Sequence, residues 1–459
     1  MDTNQQRMIL LSTSISCVIV MLDTSIVNVA LVKISQDLGT TTTGLQWIVN
    51  AYVIVFASLP LTGGALGDMF GARRMYIFGL AIFSVASLAS GCAPTMPTLI
   101  AGRVMQAIGG SLLLPCSLSL LTHAYSDSTA RAKAIASWSS WGSVALVVGP
   151  LAGGVLLAVF DWRSIFLVNV PLGLAGIWLT LKTDSHVVVR GNRRLDVPGQ
   201  LSMAIAMILL TAALIEGAKF GWGNRWILTA LVLSVLSGLS FIMIERRSTS
   251  PMLPLFLFSN STFSLICYVF LSGAVAFFGM LFLLSLYFQR FSGYSPLQTG
   301  MALLPLSVSV MVGNIVSRRL VHRMDPLTLM FVGTGVRLFG FVGMAFTGGV
   351  SYPVMASQLI LIGLGAGLGS PMSTSVFMST VEKAYTGIAS GILRTTGQLG
   401  SAIGVAIFGV FVADVHQIPG SIRIAASLAA ALTVSIVSIN WYLLRRSRVN
   451  GVLTAASAD

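Results

Sequence analysis

Charged side chains are scarce in this chain of 459 residues. They make up 9% of it, whereas hydrophobic residues make up 55%, and Asp and Glu together number 14. A soluble domain of ordinary composition carries about a quarter of its residues as charged side chains, which keep its surface in water. This composition, with a mean hydropathy of +0.88, excludes a soluble globular protein and predicts one that lies in a lipid bilayer.

The chain is also poor in the residue patterns that enzymes and metal sites require. It contains no phosphate-binding loop of the GxxxxGKS/T type, no HExxH pair and no hydrolase elbow. Its four cysteines, Cys17, Cys92, Cys116 and Cys267, lie in apolar segments without metal-ligand spacing, so we expect small core residues. We therefore predict no enzyme activity, no cofactor and no metal. Any uphill work must take its energy from an ion gradient.

Apolar runs of membrane-spanning length occupy most of the sequence. A helix needs about 20 predominantly apolar residues to cross a bilayer. Fourteen segments are candidates, at residues 8–32, 45–66, 75–92, 98–121, 132–158, 164–182, 199–217, 226–244, 262–288, 297–320, 327–348, 354–379, 388–413 and 422–444. The first is too long for a cleaved signal peptide, so we expect it to be retained as the first span.

The positive charges lie mostly on one side of these segments. With the N-terminus placed inside, eighteen of the 27 Lys and Arg residues fall on the inner side, six on the outer side and three within spans (Arg103, Arg337 and Arg394). An inner excess of this size is what the positive-inside rule predicts. Both termini are therefore expected in the cytoplasm. The net charge of +13 indicates loops at the lipid bilayer and no nucleic-acid partner.

Two polar intervals, around residues 183–200 and 245–260, divide the segments into groups of six, two and six. We predict an N-terminal six-helix bundle at residues 1–184, a two-helix insertion at 185–250 and a C-terminal six-helix bundle at 251–459. Two six-helix halves that face each other across a midplane cavity are a common plan of secondary transporters.

Asp23 lies about two-thirds of the way along the first apolar segment, residues 8–32. A charged side chain at membrane depth costs several kcal/mol unless it pairs, takes up a proton or meets water, so such residues usually serve ion coupling or substrate binding. Glu216 is the other acid near a membrane boundary. It is either a surface carboxylate beside Lys219 or a second site that takes up protons or attracts cations.

Arg103 lies at a similar depth in the fourth segment. At a rise of about 1.5 Å per residue, Asp23 lies about 13 Å below the outer end of its helix, and Arg103 about 8 Å below the outer end of its own. We therefore expect direct or water-mediated contact between them, the alternative being that Arg103 extends to the outer surface. A nearby cation favours an ionised carboxylate and burial favours the neutral acid. A conformational change that alternately brings the cation close to Asp23 and buries Asp23 without it would make this carboxylate release and take up a proton.

Several motifs resemble those of one transporter family. The run Gly64-Ala-Leu-Gly-Asp68-Met-Phe-Gly71-Ala-Arg73-Arg74 is similar to the GxxxDxxGxRR signature of the major facilitator superfamily. The run Gly149-Pro150-Leu-Ala-Gly153-Gly154 is similar to the GPxxGG core of its antiporter motif. Residues 22–31 (LDTSIVNVAL) and 161–173 (DWRSIFLVNVPLG) resemble segments of its fourteen-helix drug:proton antiporters, the multidrug and quaternary ammonium efflux type.

This resemblance implies an all-α integral membrane protein with the major facilitator fold, in which two six-helix bundles are joined by two inserted helices. It also implies a set of gating and structural residues, with a latch at the cytoplasmic end that stabilises the outward-facing state. The set is Gly64, Asp68, Gly71, Arg73, Arg74, Gly149, Pro150, Gly153 and Gly154. The implied location is the bacterial inner membrane, and we expect a monomer.

Aromatic side chains suit flat organic cations, because the ring face attracts positive charge. The candidate substrate-binding residues are Asp23, Tyr52, Trp138 and Phe282, and those for proton coupling are Asp23, Arg103 and Glu216. The predicted function is proton-coupled export of amphipathic, cationic drugs or antiseptics by alternating access. Two alternatives remain open. One is export of a metabolite, such as a siderophore or an amino acid, and the other is a membrane sensor that does not transport.

Overall fold

The computed structural model describes residues 3–125, 127–183, 196–248, 253–321, 323–348, 351–382, 385–411 and 418–456. These residues form α-helices and contain no β-strand, as the sequence predicts. The helices are α1 (Thr3–Leu38), α2 (Thr42–Ser58), α3 (Pro60–Phe70), α4 (Ala72–Gly91), α5 (Met96–Ala124), α6 (Ser128–Val159), α7 (Ser164–Leu167), α8 (Asn169–Leu181), α9 (Val197–Phe220), α10 (Arg225–Arg247), α11 (Ser261–Leu286), α12 (Pro296–Leu320), α13 (Pro326–Thr347), α14 (Tyr352–Ser379), α15 (Thr386–Val410) and α16 (Ile418–Ala456).

Within the described residues, eleven helices are long and apolar enough to cross a membrane, or up to thirteen if each of two bent pairs is one span. The bent pairs are α2 with α3, and the two parts of α6. Pro60 and Pro150 lie beside these bends, where proline removes a backbone hydrogen bond and weakens the helix. The remaining predicted span, 388–413, matches α15. This helix contains Arg394 and Gln398, and it is not one of the thirteen candidate membrane spans.

The helices pack in two groups. In the first group, α1 packs against α6 and α8, and α4 packs against α5. In the second group, α12 and α13 pack against α14, and α11 packs against α15. The two groups also contact each other directly, through α6 with α12 and α2 with α15. The helices of the predicted insertion lie beside this contact, because α9 contacts both α2 and α15 while α10 packs against α9. The predicted boundaries of the three units fall within 184–195 and 249–252, outside the described residues.

We name the two ends of the bundle after Arg73, at the connection of α3 to α4, and Arg163, just before α7. At the Arg163 end, the Arg163 Nη1 atom donates to Asp37 Oδ2 at 2.8 Å, at the end of α1. The Trp162 Nε1 atom donates to the same oxygen at 2.8 Å. These contacts hold the start of α7 beside the end of α1.

The two groups are joined near the Arg163 end. The Gln46 Nε2 atom of α2 donates to the carbonyl oxygens of Val405 and Ala406 on α15, at 3.1 and 2.9 Å. The Arg290 Nη1 atom, just after α11, donates to Thr42 Oγ1 at 2.9 Å. The described contacts therefore close the bundle near the Arg163 end.

Alternate glycines of α14 allow two helices to approach its backbone. A Cβ atom on Gly363 or Gly367 would collide with backbone carbonyl oxygens of α12, and one on Gly365 would collide with the backbone of α13. Small residues permit such close packing of membrane helices. The approach on the α13 side occurs at Arg337, whose backbone nitrogen is among the atoms that a side chain at Gly365 would meet.

Candidate functional site

A buried ion pair joins α1 to α5. Asp23 is fully buried and Arg103 is 2% exposed. The Arg103 Nη1 atom donates to Asp23 Oδ2 at 2.5 Å. The structure thus brings together the two residues for which the sequence predicts contact, and their contact is direct.

Two amide side chains complete the surroundings of the Asp23 carboxylate. Gln106 Nε2 and Asn169 Nδ2 both donate to Asp23 Oδ1, at 3.2 and 3.3 Å. Gln106 also accepts from Arg103 Nη1 at 3.0 Å and donates to Ser87 Oγ at 2.8 Å. Hydrogen bonds to an ionised group are stronger than neutral ones. The Asp23 side chain therefore ties α1 to both α5 and α8.

Arg103 has further partners that do not depend on Asp23. Its Nε atom donates to the Ile48 carbonyl oxygen on α2 at 3.3 Å. Its guanidinium lies over the rings of Tyr52 and Phe166, 4.2 and 5.8 Å from their centres. Such rings stabilise a desolvated cation. Tyr52, predicted as a substrate contact, therefore packs against Arg103 in this conformation.

A row of three cavities leads from the second helix group towards the ion pair. The largest, about 340 Å³, lies mainly among α11, α12, α13, α14 and α15. Two smaller cavities, of about 40 and 10 Å³, follow it. Phe278 lines all three, Thr24 lines the two smaller ones, and Arg103 lines the last, which is about the size of one water molecule. Water in this row would connect the largest cavity to the ion pair.

Two predicted substrate contacts lie away from these cavities. Trp138 on α6 is 6% exposed and Phe282 on α11 is fully buried. Neither lines the three cavities, whereas Phe277 and Phe278, about one turn before Phe282, line the largest. Phe282 shares α11 with these two residues but lies on another face, and a helix that is apolar all round has no stripe to mark its cavity side.

Glu216 lies near the end of α9 and not in the Asp23 cluster. Its Oε1 atom accepts a hydrogen bond from Trp47 Nε1 on α2 at 3.0 Å. This geometry is that of a polar contact that holds the insertion against α2. Among the described residues, no three His, Cys, Asp or Glu side chains are grouped so that they could hold a metal ion.

The predicted latch residues lie at the Arg73 end. Gly71 has a φ of 94°, which favours glycine because a Cβ atom would be strained there. Arg73 donates from Nε and Nη2 to the carbonyl oxygens of Thr180 and Leu181, at 3.2 and 3.0 Å. It thereby satisfies carbonyl groups that the end of α8 leaves open. The other latch residues are Gly64 and Asp68 on α3, and Arg74, which is exposed at the start of α4.

The glycines of the predicted gating motif lie where α6 meets two other helices. A Cβ atom on Gly149 would collide with Ser25 on α1, and one on Gly153 would collide with the same helix. A Cβ atom on Gly154 would lie 2.7 Å from the Cα atom of Leu297 on α12. The motif thus packs α6 against the helix that carries Asp23 and against a helix of the opposite group.

Gln106 and Asn169 were not expected as partners of Asp23. Gln106 follows Arg103 by three residues on α5, and this spacing places both side chains on one face of a helix. The sequence alone could therefore have indicated that Gln106 lies beside Arg103. Asn169 lies at the start of α8, and only the three-dimensional packing of α8 against α1 brings it to the carboxylate.

Comparison with known proteins identifies one family. The profile described as Major Facilitator Superfamily matches residues 13–405. The chain is 36% identical over 415 residues to the methylenomycin A resistance protein of Bacillus subtilis (strain 168), covering 87% of this chain and 88% of that one. It is 33% identical over 408 residues to the multidrug resistance protein Stp of Mycobacterium tuberculosis (strain CDC 1551 / Oshkosh), covering 88% and 75%. In fold it resembles a bacterial homologue of the human lysosomal transporter Spinster, with a TM-score of 0.67, 14% identity and 98% coverage of both chains.

Proposed function

Because this chain belongs to the major facilitator superfamily, we propose that it exports amphipathic, drug-like compounds across the bacterial inner membrane in exchange for protons. Membership makes it a multi-pass membrane transporter rather than an enzyme. Its similarity to resistance and multidrug resistance proteins supports the export of small molecules. The observation that carries proton exchange is the buried Asp23–Arg103 pair at the end of a row of cavities.

Asp23 is the group that we propose for proton binding. While it is ionised, its hydrogen bonds with Arg103, Gln106 and Asn169 hold α1 against α5 and α8. Protonation removes the charge of the carboxylate and weakens each of these bonds. The helix α1 is then freer to move relative to its neighbours. Proton uptake on one side and release on the other would in this way accompany rocking of the two helix groups.

The orientation in the membrane is also part of the proposal. Positive side chains are concentrated towards the Arg73 end, so we place that end and both termini in the cytoplasm. The contacts between the groups near the Arg163 end then correspond to an inward-facing state. We propose that a single chain is sufficient, since Asp23 and the cavities all lie within it.

The cavity that Arg337 and Phe277 line supports an amphipathic cargo. Its volume of about 340 Å³ falls in the range typical of small-molecule sites, which are mostly apolar with a few polar groups. Phe277 and Phe278 provide ring faces, and Asn314 and Thr334 provide polar atoms. The cationic class that the sequence predicts stays a prediction, which the engagement of Asp23 by Arg103 does not favour.

The test is transport by the purified protein in liposomes with an imposed pH gradient. One pH unit is equivalent to about 1.4 kcal/mol, so one-for-one exchange with protons should sustain on the order of tenfold accumulation of cargo against its gradient. Each partner should drive the other, so cargo leaving the liposomes should acidify their lumen. Binding without flux would support the sensor alternative. Flux that ignores the pH gradient would contradict proton exchange.

Glu216→Gln should leave proton-coupled export within about twofold of the original rate, because the glutamine oxygen still accepts from Trp47. The measurement is cargo flux with and without the pH gradient. Glu216→Leu is the matched control, since it removes the acceptor and should lower the free energy of unfolding by about 1 kcal/mol without changing the response to pH. Loss of that response in the glutamine variant would assign proton coupling to Glu216.

A further inference from the structure

Arg337 on α13 is a buried cation that has no role in the proposed proton exchange. It is 8% exposed and lines the cavity of about 340 Å³. In the part of the chain that the structure describes, it takes part in no ion pair, and its Nε atom is a buried donor without an acceptor. A guanidinium group is always protonated in proteins. The cavity wall therefore carries a permanent positive charge.

The wall around Arg337 gives its guanidinium space and no counter-charge. Gly273 of α11 faces it, and a Cβ atom there would lie 3.3 Å from Arg337 Nη1. The hydroxyl of Thr334, one turn before Arg337, donates to the Met330 carbonyl oxygen at 2.9 Å. No Asp or Glu occurs among the described residues that line this cavity.

A charge at membrane depth is costly unless it pairs with an opposite charge or meets water. The fork of a guanidinium matches a carboxylate or a similar oxyanion, with which it forms two parallel hydrogen bonds. The rest of the lining is mainly apolar and includes Phe277, Phe278 and Val310. A ligand that complements this cavity has one anionic group and an apolar body.

We propose that the cavity binds amphipathic organic anions, with the anionic group paired to Arg337 and the apolar body against Phe277 and Phe278. This inference rests on the proposed export function and specifies its cargo. It replaces the cationic class, which the sequence analysis predicted from aromatic side chains. Asp23 is paired with Arg103, and the cavity of about 340 Å³ is lined by the cation Arg337.

The test measures equilibrium binding to the full-length protein in detergent with three probes that share one ring system and differ in charge. The probes are 1-naphthoate, its neutral methyl ester and 1-naphthylmethylammonium. We expect naphthoate to bind about tenfold more tightly than the ester, because a hydrogen-bonded ion pair adds that much affinity, and the ammonium probe to bind least. Arg337→Gln should reduce naphthoate binding to the level of the ester and leave the ester unchanged. Arg337→Lys keeps the charge and should retain the order of the three probes.

Arg394→Gln is the matched control, because it removes another arginine from a predicted span and Arg394 does not line this cavity. Equal weakening of all three probes in the Arg337→Gln protein would overturn the proposal, as would an equal loss of naphthoate binding in the control. If Arg337→Gln does not fold, the three probes are compared in the Arg337→Lys protein. Tighter binding of the ammonium probe than of naphthoate would then overturn the proposal. No pH gradient is used, so failure of proton exchange and failure of the anion preference are separate results.

Discussion

Asp23→Asn should abolish proton-driven export, with flux under a pH gradient falling to that of liposomes without protein. Asparagine has nearly the same shape and keeps an oxygen that can accept from Arg103, but it cannot bind and release a proton. The cargo cavity lies in the other helix group, so exchange of labelled for unlabelled cargo at equal pH should continue. The measurement compares these two fluxes in the same preparation.

The stability of the pair provides the control for this result. Removing one member of a buried ion pair typically costs about 3 to 5 kcal/mol, because the other charge remains buried without its partner. The contacts of Arg103 with Ile48 and Tyr52 should keep the Asp23→Asn protein folded. Removing both charges, with Asp23→Asn and Arg103→Gln together, should restore part of the lost stability. Flux of the Asp23→Asn protein that still follows the pH gradient would disprove the role of Asp23.

Gly154→Val should prevent the bundle from closing near the Arg163 end and lower cargo flux by at least about tenfold, as expected when a substitution forces packed backbones apart. The Cβ atom alone would lie 2.7 Å from the Cα atom of Leu297 and 3.0 Å from the carbonyl oxygen of Pro296. These are backbone atoms and cannot turn aside as a side chain would. The same contact between α6 and α12, which we call the α6–α12 seam, contains Gly300 of α12, where a Cβ atom would collide with the carbonyl oxygen of Pro150.

The measurement is the distance between spin labels at Gln36 and Ser295, which lie on the two groups at this end. Labelling uses a background without the four native cysteines. The distance distribution should shift to larger values in the Gly154→Val protein. Gly238→Val is the matched control, because a Cβ atom at Gly238 on α10 has no heavy atom within 4 Å. A normal short distance together with normal flux in the Gly154 variant would exclude this seam as a gate.

The pairing of Asp23 with Arg103 was predictable because helical rise converts a position in the sequence into a depth in the membrane. Two opposite charges at similar depth in a bilayer have few other partners available. The helical class followed from the same physics, since lipid leaves the backbone no other hydrogen-bond partners than its own. These arguments need depth alone and not the rotation of each helix about its axis.

The sequence could not show how each helix is rotated about its own axis. Phe282 and Phe278 differ by about one turn on α11, yet one is packed in the core and the other lines the cavities. Arg337 was recognisable as a charge within a span, but its lack of a partner depends on which residues of α11 and α14 face it. Those contacts depend on glycines at which helices approach closely. The alternate glycines of α14 can be explained only when the positions of α12 and α13 beside it are known.

The contacts of α9 determine how the extra helix pair takes part in the transport cycle. Its side-chain hydrogen bonds to α2 are Trp47 with Glu216 and Gln200 with the Ser58 carbonyl group, and Gln200 also bonds to Thr62 on α3. Helix α9 also packs against α15. The pair should therefore move with the first group of helices, to which its hydrogen bonds run, while α9 slides against α15 during the transport cycle.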